Sequence, residues 1–154
     1  MRKAASLRAR LEASWPELRT ESANLKMWIE EGGITQHGRG PNFRISYTLI
    51  VLLEDWSESA LPVWLVVLDW LRTAQPELLT PRGEPSFPFE ADHVSASATD
   101  ISFDLALTED IQVVPNQQGG HDLRSLDEDQ ALFEITNVLL ASASAKGAQL
   151  VPDE

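Results

Sequence analysis

The chain has no cysteine among its 154 residues, which excludes disulfides, thiol nucleophiles, iron–sulfur clusters and cysteine-ligated zinc, and leaves its redox compartment open. Basic residues are scarce. Twelve Lys and Arg stand against 24 Asp and Glu, a formal charge of −12, which argues against tight binding to nucleic acid, whose phosphates are held by cations that displace counterions. Long apolar runs are missing too. The longest, such as Leu49–Leu53 and Val63–Leu68, are far too short to cross a bilayer, and no apolar stretch follows the charged start as in a signal peptide. The expectation is a soluble protein that is not exported by the usual route and does not enter a membrane. What is present is 43% hydrophobic residues in the length of one ordinary domain, enough to bury a core.

The charge is unevenly spread. Met1–Arg44 holds 8 basic and 5 acidic residues, whereas Ile45 onward holds 4 basic and 19 acidic. Acidic surface keeps a protein soluble, and a basic first helix is common. A positive face on one subunit meeting a negative face on the next also suits a head-to-tail contact, of the kind that closes into rings when the rotation permits.

Ser6–Ala13 carries Leu7 and Leu11 at i and i+4 before Trp15-Pro16, which predicts a short amphipathic helix. Leu25, Trp28 and Ile29 after Asn24, stopped by Gly32-Gly33, predict a second helix. ITQHGRGPN reads as a turn or hairpin tip, with room for a short strand at Ile34–His37. Residues 43–54 are the clearest strand: Phe43, Ile45, Tyr47, Leu49, Val51 and Leu53 alternate onto one side, and one end of so long a strand should project. Its other side should face water over Arg44, Ser46 and Thr48 and be covered at Ile50 and Leu52.

Pro62 opens a third helix that Gln75-Pro76 ends, and PVWLVVLDWLRTA is apolar nearly all round, so it needs cover on more than one side. FPFEAD predicts a strand followed by a turn-like VSASA. TDISFDLALT predicts a further strand that Ile111–Val114 extends beyond a kink at Glu109-Asp110, with NQQGGHD a loop after it. Beyond it Asp127 or Asp129 would cap a helix carrying Leu132, Phe133, Ile135 and Leu139, although ITNVLL also suits a strand. The fold class expected is α+β: a small, mostly antiparallel sheet packed with helices. Residues 1–115 are read as the domain and 116–154 as a C-terminal arm of unassigned structure.

Reactive constellations are few. His37, His93 and His121 are scattered without ligand spacing, HGRG lacks the Gly-Lys-Ser/Thr of a phosphate loop, and neither G-x-G-x-x-G nor G-x-S-x-G occurs. No metal or cofactor site is expected. Glu90 with Asp92, and Asp100 with Asp104, share a strand side, but such pairs arise freely at this acidity. Asp127-Glu128-Asp129 lacks the glycine and terminal Glu of a calcium loop. Of five tryptophans, Trp56 beside a turn and Trp64 on the outer side of the Pro62 helix are candidates for interface anchors; the others read as core.

Several short motifs recur in order in a known family. Tyr47-Thr48-Leu49, Asp55-Trp56, Pro62, Trp70-Leu71-Arg72 and Gln75-Pro76, then Phe89-Glu90-Ala91-Asp92 and Asp100-Ile101 leading to Leu105-Ala106-Leu107-Thr108-Glu109, resemble phage tail completion protein R of P2-type contractile-tailed phages. Leu7-Arg8 and Gly33-Ile34 fit as well. The resemblance covers about residues 5–114; Asp110 stands where that family usually has Arg. It implies a structural virion assembly protein, not an enzyme, that finishes the head-proximal end of a contractile tail or tail-like bacteriocin. It also implies a ring, often six-fold, of copies of itself, contacts with tail tube or sheath and with neck or head-completion proteins, and a place in the virion tail after assembly in the host cytoplasm. The alternatives are a small acidic enzyme or a non-phage adaptor. The candidate oligomer contact comprises Arg8, Arg10, Arg39 and Arg44 as cations, Glu109 and Asp110 as carboxylates, and Trp56 and Trp64 as anchors.

Overall fold

The alternation that marks Phe43–Trp56 as a strand puts Tyr47, Leu49, Val51 and Leu53 on one buried face. Around it the computed structural model, which describes residues 1–20, 24–36, 38–79 and 83–126, builds an antiparallel sheet. The described strands are β1 (Leu25–Gln36), β2 (Phe43–Trp56), β3 (Phe89–Ser95), β4 (Ala98–Pro115) and β5 (His121–Leu126), in the order β1-β2-β4-β3. β2 holds one edge of β4. The other edge is shared, with β3 along residues 98–103 and β5 along residues 110–115.

Two helices, α1 (Arg2–Ser14) and α2 (Leu61–Ala74), cover one face of this sheet. Leu7 and Leu11 point inward from α1, Val63, Val67, Trp70 and Leu71 from α2, and they meet the odd-numbered β2 residues and Ile101, Phe103, Leu105 and Leu107 of β4. Each leucine so buried contributes about 1.5–3 kcal/mol relative to exposure. The helices lie antiparallel, because Lys3 meets Gln75, Ser6 meets Trp70 and Arg10 meets Asp69. Pro62 sits in the first turn of α2, where its missing N–H is not needed, and Gln75 and Pro76 end the helix as expected.

The α+β reading with an antiparallel sheet holds. Residues 24–29, expected as a helix, are instead the start of β1. Leu25, Trp28 and Ile29 fit a period of 3.6, but Leu25, Met27 and Ile29 fit a period of 2 equally, and pairing with Leu53, Val51 and Leu49 decides between them. Gly32 and Gly33, read as a helix stop, lie at a β-bulge where the register slips between Glu30 and Gly33 and Glu31 takes φ 52°. β4 continues without a break through Glu109 and Asp110 to Pro115, so the expected kink is absent. Of the loop NQQGGHD, only the turn around Asn116–Gly120 is irregular; His121 and Asp122 open β5. The segment carrying Asp127, Asp129 and Leu132–Leu139 lies outside the described residues, as does His37.

On the helix-free face, β2 presents Arg44, Ser46 and Thr48, then Ile50, which is buried opposite Trp28. α1 begins at Glu109 and α2 ends at Thr108, so the strands beyond these points run on past the helices. The sheet therefore projects at the end carrying the β1–β2 and β4–β5 turns.

Candidate functional site

The projecting end is tied to the helical layer by a charged residue on the core side of β4. Alternation places Glu109 on the face of Leu105 and Leu107, where it is only 3% exposed. Its Oε2 accepts the backbone N–H of Arg2 at 3.0 Å, and its Oε1 accepts that of Lys3 at 3.2 Å and the Tyr47 hydroxyl at 2.5 Å. A carboxylate is thus held against the first turn of α1, where unpaired amides and the helix dipole favour negative charge. Burial alone would push its pKa up, but the bonds from Tyr47, Arg2 and Lys3 outweigh that and hold it below the usual carboxylate range. Tyr47 is driven the other way, by burial first and by the adjacent Glu109 second, so its phenol resists ionisation.

Gln75 does the same work one step along the strand. The free stretch of the β4 edge between β3 and β5 needs partners, and Gln75, 4% exposed, supplies one: its Oε1 accepts the Thr108 N–H at 3.0 Å and the Lys3 Nζ at 2.8 Å. Pro88 supplies another through its carbonyl, which accepts the Asp104 N–H at 3.3 Å.

The candidate contact residues are scattered over both sides of the sheet. Arg8 pairs with Glu12 at 3.5 Å along the outer surface of α1, and Arg10 reaches Asp69 of α2 at 2.6 Å. Arg44 and Asp110, expected on opposite sides of an interface, face each other within one chain on the helix-free side, with two bonds of 2.7 Å in a bidentate fork. Arg39 stands exposed on the β1–β2 turn. Trp56 is 9% exposed, lies edge-on to Trp15 at 5.4 Å, and donates its Nε1–H to the Ser59 carbonyl at 3.3 Å. Trp64 is half-buried among Phe87, Phe89 and Phe103, with ring centroids 5.0–6.0 Å away. The geometry brings together Arg44 with Asp110 and leaves the other candidates apart. Glu109 faces inward.

The acidic pairs lie on the helix-free face near β3. Asp92 stands directly across from Asp100, and Glu90 across from Ser102. Asp100 accepts the Asp55 N–H at 2.9 Å, and Asp55 itself has φ 50°. His93 shares a bond with Thr99 at 3.1 Å, and His121 is exposed at the start of β5. Among the described residues no group of three or more His, Asp or Glu side chains is placed to hold a metal ion. The roles of Glu109 with Tyr47, and of Gln75 with Thr108, are not stated by any motif. The one available signal is that alternation puts a carboxylate on the apolar side of β4.

With this arrangement described, comparison with known proteins adds the decisive observation: the family model of P2 phage tail completion protein R (GpR) matches residues 1–129. The chain belongs to this family. A curated relative, Tail completion protein R of Escherichia phage P2, is 34% identical over 112 residues, covering 71% of this chain and 72% of the relative. No solved structure matches. Membership in the tail completion protein R family assigns the chain a structural part in virion assembly, as a component of the phage tail. Motifs that carry the resemblance map onto fold-defining positions: Tyr47 beneath Glu109, Trp70 bonded to Ser6, and Gln75 on the β4 edge.

Proposed function

We propose that this tail completion protein closes the head-proximal end of a contractile tail as a ring of its own copies, six-fold by analogy with tail terminators. In this role it stops further addition of tail tube or sheath subunits and offers a surface to neck or head-completion proteins. The observation that carries the reading is the apolar surface one copy leaves uncovered: Leu61 is 74% and Leu65 64% exposed on α2, and Leu123 is 66% exposed on β5. Exposed apolar patches of this sort mark contact sites. The family is a structural one, and the reading assigns no catalysis. The charge of −12 suits a channel for DNA, since a basic wall would hold the phosphates.

In the finished tail, one ring would cap the last tube ring. Native mass spectrometry of the full chain, alone and with purified tail tube, should give a closed oligomer and a tube-bound ring. Tails assembled without the protein should fail to join heads. A chain that stays monomeric in both conditions, with tails that join heads normally in its absence, refutes the reading.

A further inference from the structure

Two apolar patches on the helix-bearing side lie at opposite ends of the molecule. The antiparallel helix pair fixes this placement. The start of α1 is level with the end of α2 at Lys3 and Gln75, so the start of α2 lies at the other end, beside Trp56 and Ser59. There Leu61 and Leu65, one turn apart, point to solvent. At the projecting end Phe43 and Ile45 of β2, Ile111 of β4 and Leu123 of β5 line a cleft of about 280 Å³ with Met1.

The surroundings of the two patches differ in sign. Arg2 and the first residue, Met1, line the cleft above the buried carboxylate of Glu109, and Arg39 is exposed on the β1–β2 turn of the same end. Asp55 and Glu58 are exposed beside the start of α2. Two different apolar surfaces, at opposite ends and with complementary rims, fit each other on separate copies. A face-to-face dimer would instead match one patch with itself.

We propose that Leu61 and Leu65 of one copy seat in the Phe43–Ile45–Ile111–Leu123 cleft of the next. This contact rests on the ring reading above and names its surfaces. An open string of copies leaves one helix patch unused at one end and one cleft unused at the other, and ring closure joins them.

The test uses two variants of the full chain at exposed positions. Leu61→Lys with Leu65→Lys places charge against the basic rim, and Leu123→Glu places charge against the acidic one. Unchanged thermal unfolding of the monomers establishes that both fold. Native mass spectrometry should then show each variant as a monomer, with self-association at least about thirty-fold weaker, the size of a hot-spot loss. A one-to-one mixture should give heterodimers and nothing larger, because the helix variant keeps an intact cleft and the cleft variant an intact helix patch. Wild-type-like assembly of either variant alone, or a mixture that stays monomeric while the wild type assembles, overturns this contact and leaves the ring standing. A cleft variant that forms rings but no longer binds the tube assigns the cleft to the tube and overturns it as well. A wild-type chain that never self-associates, with or without tube, removes the ring and the contact together.

Discussion

Replacing Glu109 by Gln keeps the side chain's size and removes its charge, and the geometry says what that does. If the amide oxygen takes the place of Oε1, it still accepts from Tyr47 and Lys3. The NH2 then faces the Arg2 N–H, 3.0 Å from the atom it replaces, so a donor meets a donor. Leaving a buried donor unpaired costs about 1–3 kcal/mol, and losing an anion at a partly buried helix start costs about 1 kcal/mol more. The expected loss of about 2–4 kcal/mol lowers Tm by about 4–16 °C for a domain of this size.

The pH dependence separates charge from shape. The folded pKa of Glu109 lies below its unfolded value, so its stabilisation is present above the unfolded carboxylate range and is lost as pH falls through the folded pKa. Circular dichroism melts of both chains from pH 7 to pH 3 should show the Tm gap at its widest near neutrality and closing in acid. A gap that stays constant with pH would falsify the electrostatic argument, and no gap at pH 7 would remove the anchoring role altogether. Hydrogen exchange should localise the effect, with the α1 amides exchanging faster in the variant while β2 and β4 keep their protection.

Tyr47 is the only tyrosine, so absorbance near 295 nm reports its ionisation directly. Its raised pKa means that stability present below about pH 10 is lost as pH rises further, so tyrosinate should appear together with alkaline unfolding, not before it; a reversible titration near pH 10 in the folded chain contradicts this. Glu31→Gly relieves a left-handed backbone at the β1 bulge and should raise stability by about 0.5 kcal/mol after the entropy cost of glycine, read as a higher denaturant midpoint at unchanged m. Leu71→Ala, at a fully buried α2 position, should cost about 2–5 kcal/mol, whereas Leu65→Ala on the same helix should stay within about 0.5 kcal/mol in the monomer. Equal costs would mean that the two faces of α2 are wrongly distinguished.

How much of this was legible depended on whether the pattern had one solution. Phe43–Trp56 and Ala98–Pro115 alternate apolar and polar residues over many positions, and Leu61–Ala74 is proline-started and closed by Gln75-Pro76, so local periodicity alone names these elements. Leu25–Ile29 had two solutions, and neighbouring β2 chose the strand. Taken alone, Arg44 and Asp110 are each candidates for an intermolecular contact, because nothing local reveals that antiparallel register sets them side by side within one chain.

By itself the amino-acid order determined the α+β class, the family, and the apolar excess of α2, since these depend on which residue types recur at which spacing. Only the tertiary structure decided where that excess emerges, at Leu61 and Leu65, and what Glu109 does. Its partners stand 62 positions away at Tyr47 and 107 away at Arg2. Strand register and helix direction bring such distant groups within bonding range, and no local pattern encodes either.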